Sequence, residues 1–158
     1  MKTTILTVIF MLTTFSSNGQ CNCQKINRDD GTIVTQCNPL PVAYDNSTQV
    51  GLAAASNGQD NFITVTVRFK SAAQDILGDL SIRLSDNNLI TLELVNSGLS
   101  FIGNSQVAQG VYMADESHIA KLKKSGIKTI SFKFKDGLLR SYQATSNINV
   151  LKEQVLCL

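Results

Sequence analysis

The four cysteines are the residues whose type and number say most about chemistry in this chain of 158 residues. They are Cys21, Cys23, Cys37 and Cys157. An even number of cysteines is typical of disulfides in an exported protein. Because Cys21 and Cys23 are so close in sequence, a bond between them would close a strained ring. Two connectivities remain: Cys21–Cys37 with Cys23–Cys157, or Cys21–Cys157 with Cys23–Cys37. Either one ties the N-terminal segment to the end of the chain.

A zinc site is the rival interpretation of the same thiols. Structural zinc sites pair their ligands in short C-x₂₋₄-C units, whereas Cys37 and Cys157 each stand alone. The loops at Asp29–Gly31 and Asp86–Asn88 carry oxygens that suit calcium, but neither has the EF-hand pattern. The sequence therefore predicts no metal site and no cofactor.

Catalytic residues are also not predicted. His118 is the single histidine, and neighbouring side chains such as Ser117 diverge on a helix, so no relay of nucleophile and base is expected. We expect His118 to be a solvated or helix-capping residue. The acidic residues fall in turns and at a helix start rather than as paired carboxylates. They include Asp29, Asp30, Asp75, Asp79, Asp86, Asp115 and Glu116. The protein is predicted not to be an enzyme.

A basic surface patch is the one charged feature that could bind a ligand. It comprises Lys121, Lys123, Lys124 and Lys128. Such a cluster suits phosphate, an acidic glycan or an acidic protein, while a solvated helix end is the simpler interpretation. The net charge is only +2 and no tryptophan is present. We therefore do not expect nucleic acid as a partner.

The first 19 residues are typical of a bacterial secretory signal peptide. Lys2 precedes an apolar run over residues 5–12, and the small residues Ser17 and Gly19 suit a signal peptidase. The apolar run is too short to span a bilayer as a mature helix. Cleavage is expected after Gly19, so the protein is predicted to be secreted or periplasmic.

The mature chain, residues 20–158, is predicted to be one β-rich domain without a transmembrane span. No later apolar stretch approaches the ~20 residues that a membrane helix needs. A lipid anchor on Cys21 is the alternative. Asn18 and Gln20 depart from the lipoprotein pattern before that cysteine.

Alternation of apolar and polar residues predicts an antiparallel β-fold. Residues 62–70 give the clearest strand. Residues 79–95 predict a hairpin that pairs Ile82 with Leu92, and residues 129–145 predict another that turns at Asp136–Gly137. Weaker strands are expected at 32–37, 49–54 and 107–113. Residues 71–78 and 96–110 read as loose loops.

Two short helices complete the predicted architecture. Asp115 can cap a helix over residues 115–125, and a second helix is expected to start near Asn149. The fold is therefore mainly β: a single antiparallel β-sandwich or open β-roll of about seven or eight strands.

The predicted function is binding without catalysis. We expect an exported β module that binds a protein or a surface glycan. An inhibitor of a secreted enzyme and a small hydrophobic-ligand carrier are the alternatives. An exposed apolar patch would mark the binding surface, and Tyr44, Tyr112 and Tyr142 are the aromatic residues expected to line it.

Overall fold

The computed structural model describes residues 21–158, so the predicted signal peptide and its cleavage site lie outside the described residues. These residues are mainly β, as predicted, and their strands form two antiparallel sheets. The strands are β1 (Cys23–Asn27), β2 (Ile33–Cys37), β3 (Leu40–Tyr44), β4 (Thr48–Ser56), β5 (Asn61–Phe69), β6 (Ile76–Leu84), β7 (Leu89–Leu92), β8 (Leu94–Ile102), β9 (Ser105–Ala114), β10 (Ile127–Phe134) and β11 (Leu139–Gln143). The helices are α1 (Glu116–Leu122) and α2 (Val150–Gln154).

The two sheets face each other as a sandwich. The first sheet has the strand order β1-β2-β4-β5-β9-β8, with β3 also paired to β4. The second sheet has the order β11-β10-β6-β7. The strands predicted at 32–37, 49–54 and 107–113 are confirmed as β2, β4 and β9, and the total exceeds the expected seven or eight because β1, β3 and β8 were not foreseen.

The core lies between the sheets, where the predicted alternation places the apolar side chains. Ile63, Val65 and Val67 of β5 are fully buried, while Arg68 is exposed on the opposite face. Three aromatic contacts extend this core within and between the sheets. Ring centroids lie 5.3 Å apart for Phe69 and Phe134, 5.3 Å for Phe132 and Phe134, and 5.4 Å for Phe132 and Tyr142.

Helix α1 begins at a capping box. The carboxylate of Asp115 accepts a hydrogen bond from the backbone N–H of His118 at 2.9 Å, and His118 Nδ1 accepts one from the backbone N–H of Asp115 at 3.3 Å. This reciprocal pair satisfies two N–H groups at the helix start. Ile119 and Leu122 face the core. The structure confirms the predicted helix and gives His118 a capping role.

Helix α2 closes a gap at the edge of the first sheet. Strands β2 and β3 both pair with β4 but leave the backbone of Ala54 between them. The buried side chain of Gln154 fills this gap: its Oε1 accepts from the Ala54 N–H at 2.8 Å, and its Nε2 donates to the Asn38 carbonyl at 2.9 Å. A glutamine can replace the missing strand here because its amide both donates and accepts.

The predicted register of the β6–β7 hairpin is wrong by two residues. Ile82 lies opposite Ile90 rather than Leu92, so the same face stays buried. The turn is tighter than expected because Asn87 adopts a left-handed conformation, with φ of 68°. Its N–H then donates to the Leu84 carbonyl at 2.9 Å and closes the turn early.

The predicted loop over residues 96–110 is also wrong. This segment forms most of the β8–β9 hairpin, whose two-residue turn is Gly103–Asn104. Gly103 has a φ of 60°, a conformation that glycine adopts without steric cost and that the first position of a type II′ turn requires. The turn therefore fixes a strand pairing that the scattered polar residues of β8 do not reveal.

Candidate functional site

All four cysteines form disulfides. Cys23 pairs with Cys37 directly across β1 and β2, and Cys21 pairs with Cys157. This is the second of the two predicted connectivities, and no free cysteine remains among residues 21–158. Within the same residues, no cluster of three or more histidine, cysteine, aspartate or glutamate side chains could hold a metal ion.

Five aspartates with lowered pKa values hold turns and the α1 cap. Hydrogen bonds donated by backbone N–H groups are the largest cause of the lowered pKa at four of them, which are Asp30, Asp86, Asp115 and Asp136. At Asp45, burial would raise the pKa, but the N–H groups of Ser47 and Thr48 donate at 2.7 and 2.6 Å and lower it overall. Local turn geometry therefore explains these pKa shifts.

The predicted lysine patch lies beside the β6–β7 turn. Lys121 and Lys123 are exposed near the end of α1. Lys128 Nζ donates to the side-chain oxygen of Asn87 at 3.1 Å, and Lys124 contributes to the lowered pKa of Asp86. The acidic turn thus offsets part of the positive charge. Anion binding by this patch stays a prediction.

Two of the three tyrosines expected at a binding surface are buried. Tyr112 and Tyr142 lie in the core, and Tyr44 alone is well exposed, at 52%. Tyr142 stacks on Phe132, which explains its burial. Tyr112 lies over Gly110, where a Cβ atom would come within 3.0 Å of its hydroxyl oxygen. The expectation that all three line one surface is therefore wrong.

A groove lies beside Tyr44. A depression of about 250 Å³ includes Tyr44, Arg68 and Lys70 in its lining, and a second of about 110 Å³ includes Arg140. Asp45, Thr48 and Phe69 line both. An exposed aromatic ring beside cations and a carboxylate is a chemistry that suits sugars and acidic groups.

The most unusual surface is the β8–β9 hairpin, residues 94–114, which we name the neutral hairpin. It contains no charged residue. Apolar side chains nevertheless stand in solvent along β8: Leu99 is 44% exposed, Phe101 70% and Ile102 39%. A depression of about 210 Å³ adjoins its tip, lined by Pro39, Pro41, Ile102 and Val107 among others.

Strand β8 is also an edge of the first sheet, so half of its backbone groups face outward. In a two-residue hairpin the residues flanking the turn, Ile102 and Ser105, form a hydrogen-bonded pair. Hydrogen-bonded and non-hydrogen-bonded pairs then alternate. The N–H and C=O groups of Ser97, Leu99 and Phe101 therefore point away from β9, toward the open side.

Among the side chains of residues 21–158, the hydroxyl of Tyr112 is the one buried polar group without a hydrogen-bond partner. Burial raises the pKa of this phenol above its ordinary value of 10.0. Tyr112 belongs to β9 of the neutral hairpin, and its ring points into the core. A neutral, unpaired hydroxyl in such a place costs stability.

No protein-family model, curated protein or solved structure showed significant similarity to this chain. Strand β8 and its pairing with β9 were missed at the level of sequence, although one signal could have revealed them. Gly103–Asn104 is a two-residue hairpin signal that lies between Leu99–Ile102 and the predicted strand at 107–113.

No helix of residues 21–158 is long and apolar enough to cross a membrane.

Proposed function

We propose that this protein is an exported, non-enzymatic β-sandwich that binds another protein through its neutral hairpin. The exposure of Leu99, Phe101 and Ile102 on a segment without charge carries the proposal. Leu99 and Phe101 lie on one face of β8 and Ile102 on the other, so apolar side chains are exposed on both faces of the strand. Exposed apolar surface of this kind marks interaction sites. Interface cores are likewise depleted in charge and enriched in aromatic residues.

The surroundings of the hairpin fit such a role. The depression between Pro39, Pro41 and Ile102 offers a place for an anchoring side chain of a partner. The signal-like first 19 residues and the two disulfides support export to an oxidising compartment. A hydrophobic-ligand carrier receives less support, because fully buried side chains such as Phe132 and Leu52 fill the space between the sheets.

The proposal is tested by quantitative capture with the mature protein from the cell-envelope fraction of its source. Phe101→Ser is compared with Leu139→Ser, a matched change of an exposed apolar residue in β11. We expect proteins that are enriched by the wild type and by Leu139→Ser to be lost with Phe101→Ser. Equal enrichment by all three proteins would refute binding through the hairpin.

Glycan binding is the second candidate, and the groove around Tyr44 favours it. The exposed ring, Arg68 and Lys70 together suit an acidic sugar. Binding to an array of acidic glycans would be measured for the wild type and for Tyr44→Ala. Binding that Tyr44→Ala abolishes and Phe101→Ser retains would place the ligand in this groove; no binding by the wild type would remove this candidate.

A further inference from the structure

We propose that a second copy of this chain binds the open edge of β8, so that two first sheets join as one continuous antiparallel sheet in a two-fold dimer. This inference names a partner for the neutral hairpin and rests on the proposed function to that extent. The backbone groups of Ser97, Leu99 and Phe101 are the groups that would pair. Strand addition at an exposed sheet edge is an established recognition mode.

The strands at the other ends of the two sheets are β1, β7 and β11, and each has features that hinder such pairing. Strand β1 has only five residues and bears Lys25. Strand β7 has only four residues, and β11 carries Arg140 in an ion pair with Asp136. Charged, short or covered edges resist edge-to-edge association. Strand β8, with nine residues and no charge, has none of these protections.

The register of the dimer follows from the two faces of β8. In one continuous sheet, residues of the core-side face must lie opposite residues of the same face. The core-side residues of β8 are Ser97, Leu99 and Phe101, because they pair with the core-side residues of β9. A two-fold axis at Leu99 satisfies this condition. It places Leu99 opposite its own copy and Ser97 opposite Phe101 of the second copy.

This register also covers the exposed side chains of Leu99 and Phe101. Phe101 is 70% exposed although it lies on the core-side face, so the tip of the hairpin projects beyond the cover of the second sheet. In the dimer, Phe101 lies diagonal to Leu99 of the second copy, within reach of an aromatic side chain. Two leucines and two phenylalanines then form one apolar cluster across the axis.

The missing charge favours a second copy over an unrelated partner. At a two-fold interface each charge near the axis meets its own copy, so a single lysine or glutamate would repel itself. Residues 94–114 avoid this entirely. A hetero-partner chosen by electrostatic complementarity would instead leave charges on this surface. Because each copy offers one such edge, association should stop at two.

Sedimentation of the mature protein over a range of micromolar concentrations tests the inference. We expect a reversible monomer–dimer equilibrium, since one added strand pair buries less area than a permanent interface. Leu99→Lys puts two like charges opposite each other and should be monomeric throughout. The matched control Leu139→Lys, an exposed leucine of β11, should dimerise like the wild type. Unchanged circular dichroism establishes that both variants fold.

Leu99→Cys tests the register. With oxidised glutathione as the oxidant, a cysteine at the axis should form a covalent dimer, whereas Leu139→Cys should not. Equal cross-linking of the two variants would overturn the register and with it the two-fold arrangement. Cross-linking confined to Leu99→Cys supports the dimer even where Leu99→Lys folds poorly.

The remaining outcomes separate this inference from the proposed function. A wild type that is monomeric at every concentration overturns the dimer, and so does assembly beyond two copies. If that monomer still captures envelope proteins in a Phe101-dependent manner, the proposed function stands and only the second copy is refuted. If it captures none, both fall.

Discussion

The two ends of the first sheet are built in opposite ways. The end near β1 and β2 is closed by Cys23–Cys37, while Cys21–Cys157 fastens the segment beside it to the C-terminus. Gln154 fills the gap between β2 and β3 with one buried and one partly buried hydrogen bond. The end at β8 has no disulfide and no charge, and its apolar side chains stand in solvent.

This difference indicates that one end of the first sheet contributes mainly to stability and the other mainly to binding. The closed end contains short strands with mostly exposed residues, which bury little apolar surface of their own. Covalent bonds and a buried amide compensate for that deficit. The open end rests on the well-packed strand β9 and needs no such support. Substitutions should therefore cost stability at the closed end and association at the open end.

The largest expected effect is the loss of the Cys21–Cys157 disulfide. This bond closes a loop with a sequence separation of 136, whereas Cys23–Cys37 closes one of 14. In the chain-entropy model the long loop is worth about 5 kcal/mol and the short one about 3 kcal/mol. The double variant Cys21→Ser/Cys157→Ser should accordingly lose more free energy of unfolding than Cys23→Ser/Cys37→Ser, as measured by urea titration.

The two double variants serve as controls for each other, since each removes two sulfurs and one cross-link. Equal losses would contradict the entropic explanation and indicate that local packing around the sulfurs dominates. A smaller loss for the long loop would contradict the assigned role of the Cys21–Cys157 bond in fastening the chain ends.

The next effect is expected at Gln154. Gln154→Met keeps the side-chain length but removes both polar groups, leaving the Ala54 N–H and the Asn38 carbonyl without their partner. We expect a loss of about 2–3 kcal/mol in the free energy of unfolding. Glu153→Gln, an exposed neighbour on α2, is the control and should change stability little. Equal stability of the two variants would refute the bridging role.

Sequence reasoning reached the closed end only in part. The cysteines and the short helix near Asn149 were recognisable by type and spacing, and alternation located β2 and β4. The gap that Gln154 fills could not be predicted, because it exists only once β2 and β3 meet the same side of β4. That juxtaposition depends on tertiary structure and leaves no local pattern.

The open end was misread for a different reason. Strand β8 places Asn96, Gly98 and Ser100 on one face and Leu99 with Phe101 on the other, so alternation is present. Small polar residues and glycine dominated the local composition and suggested a loop. The pairing is fixed by the Gly103–Asn104 turn and by β9, whose core-side residues Ala108, Tyr112 and Ala114 are buried. Local propensity was overridden by the neighbouring strand.

Tyr112 offers a gain of stability near the open end. Tyr112→Phe removes a buried hydroxyl that has no hydrogen-bond partner, so the free energy of unfolding should rise by about 1–2 kcal/mol. Tyr142→Phe is the control, since the hydroxyl of Tyr142 lies 3.5 Å from Thr48 Oγ1. A loss of stability in Tyr112→Phe would show that this hydroxyl has a partner in solution.

The same residue predicts a dependence on alkaline pH. Burial raises the pKa of Tyr112 above 10.0, so unfolded chains ionise at a lower pH than folded ones. Ionisation of Tyr112 therefore leaves the free energy of unfolding unchanged below pH 10 and lowers it as the pH rises further. Tyr112→Phe should flatten this alkaline decline in urea titrations. A fall as steep as that of the wild type would exclude Tyr112 and point to Tyr142, whose pKa burial also raises.

The smallest effect on stability is expected at β8 itself. Leu99 is exposed on an edge strand, so Leu99→Lys should change the free energy of unfolding by less than about 0.5 kcal/mol when both proteins are measured as monomers. Val65→Lys places the same charge in the core of the same sheet and should prevent folding. A large loss in Leu99→Lys would mean that this side chain supports the fold, and the contrast between a stabilising end and a binding end would fail. A small loss together with lost association would separate the two roles within one sheet.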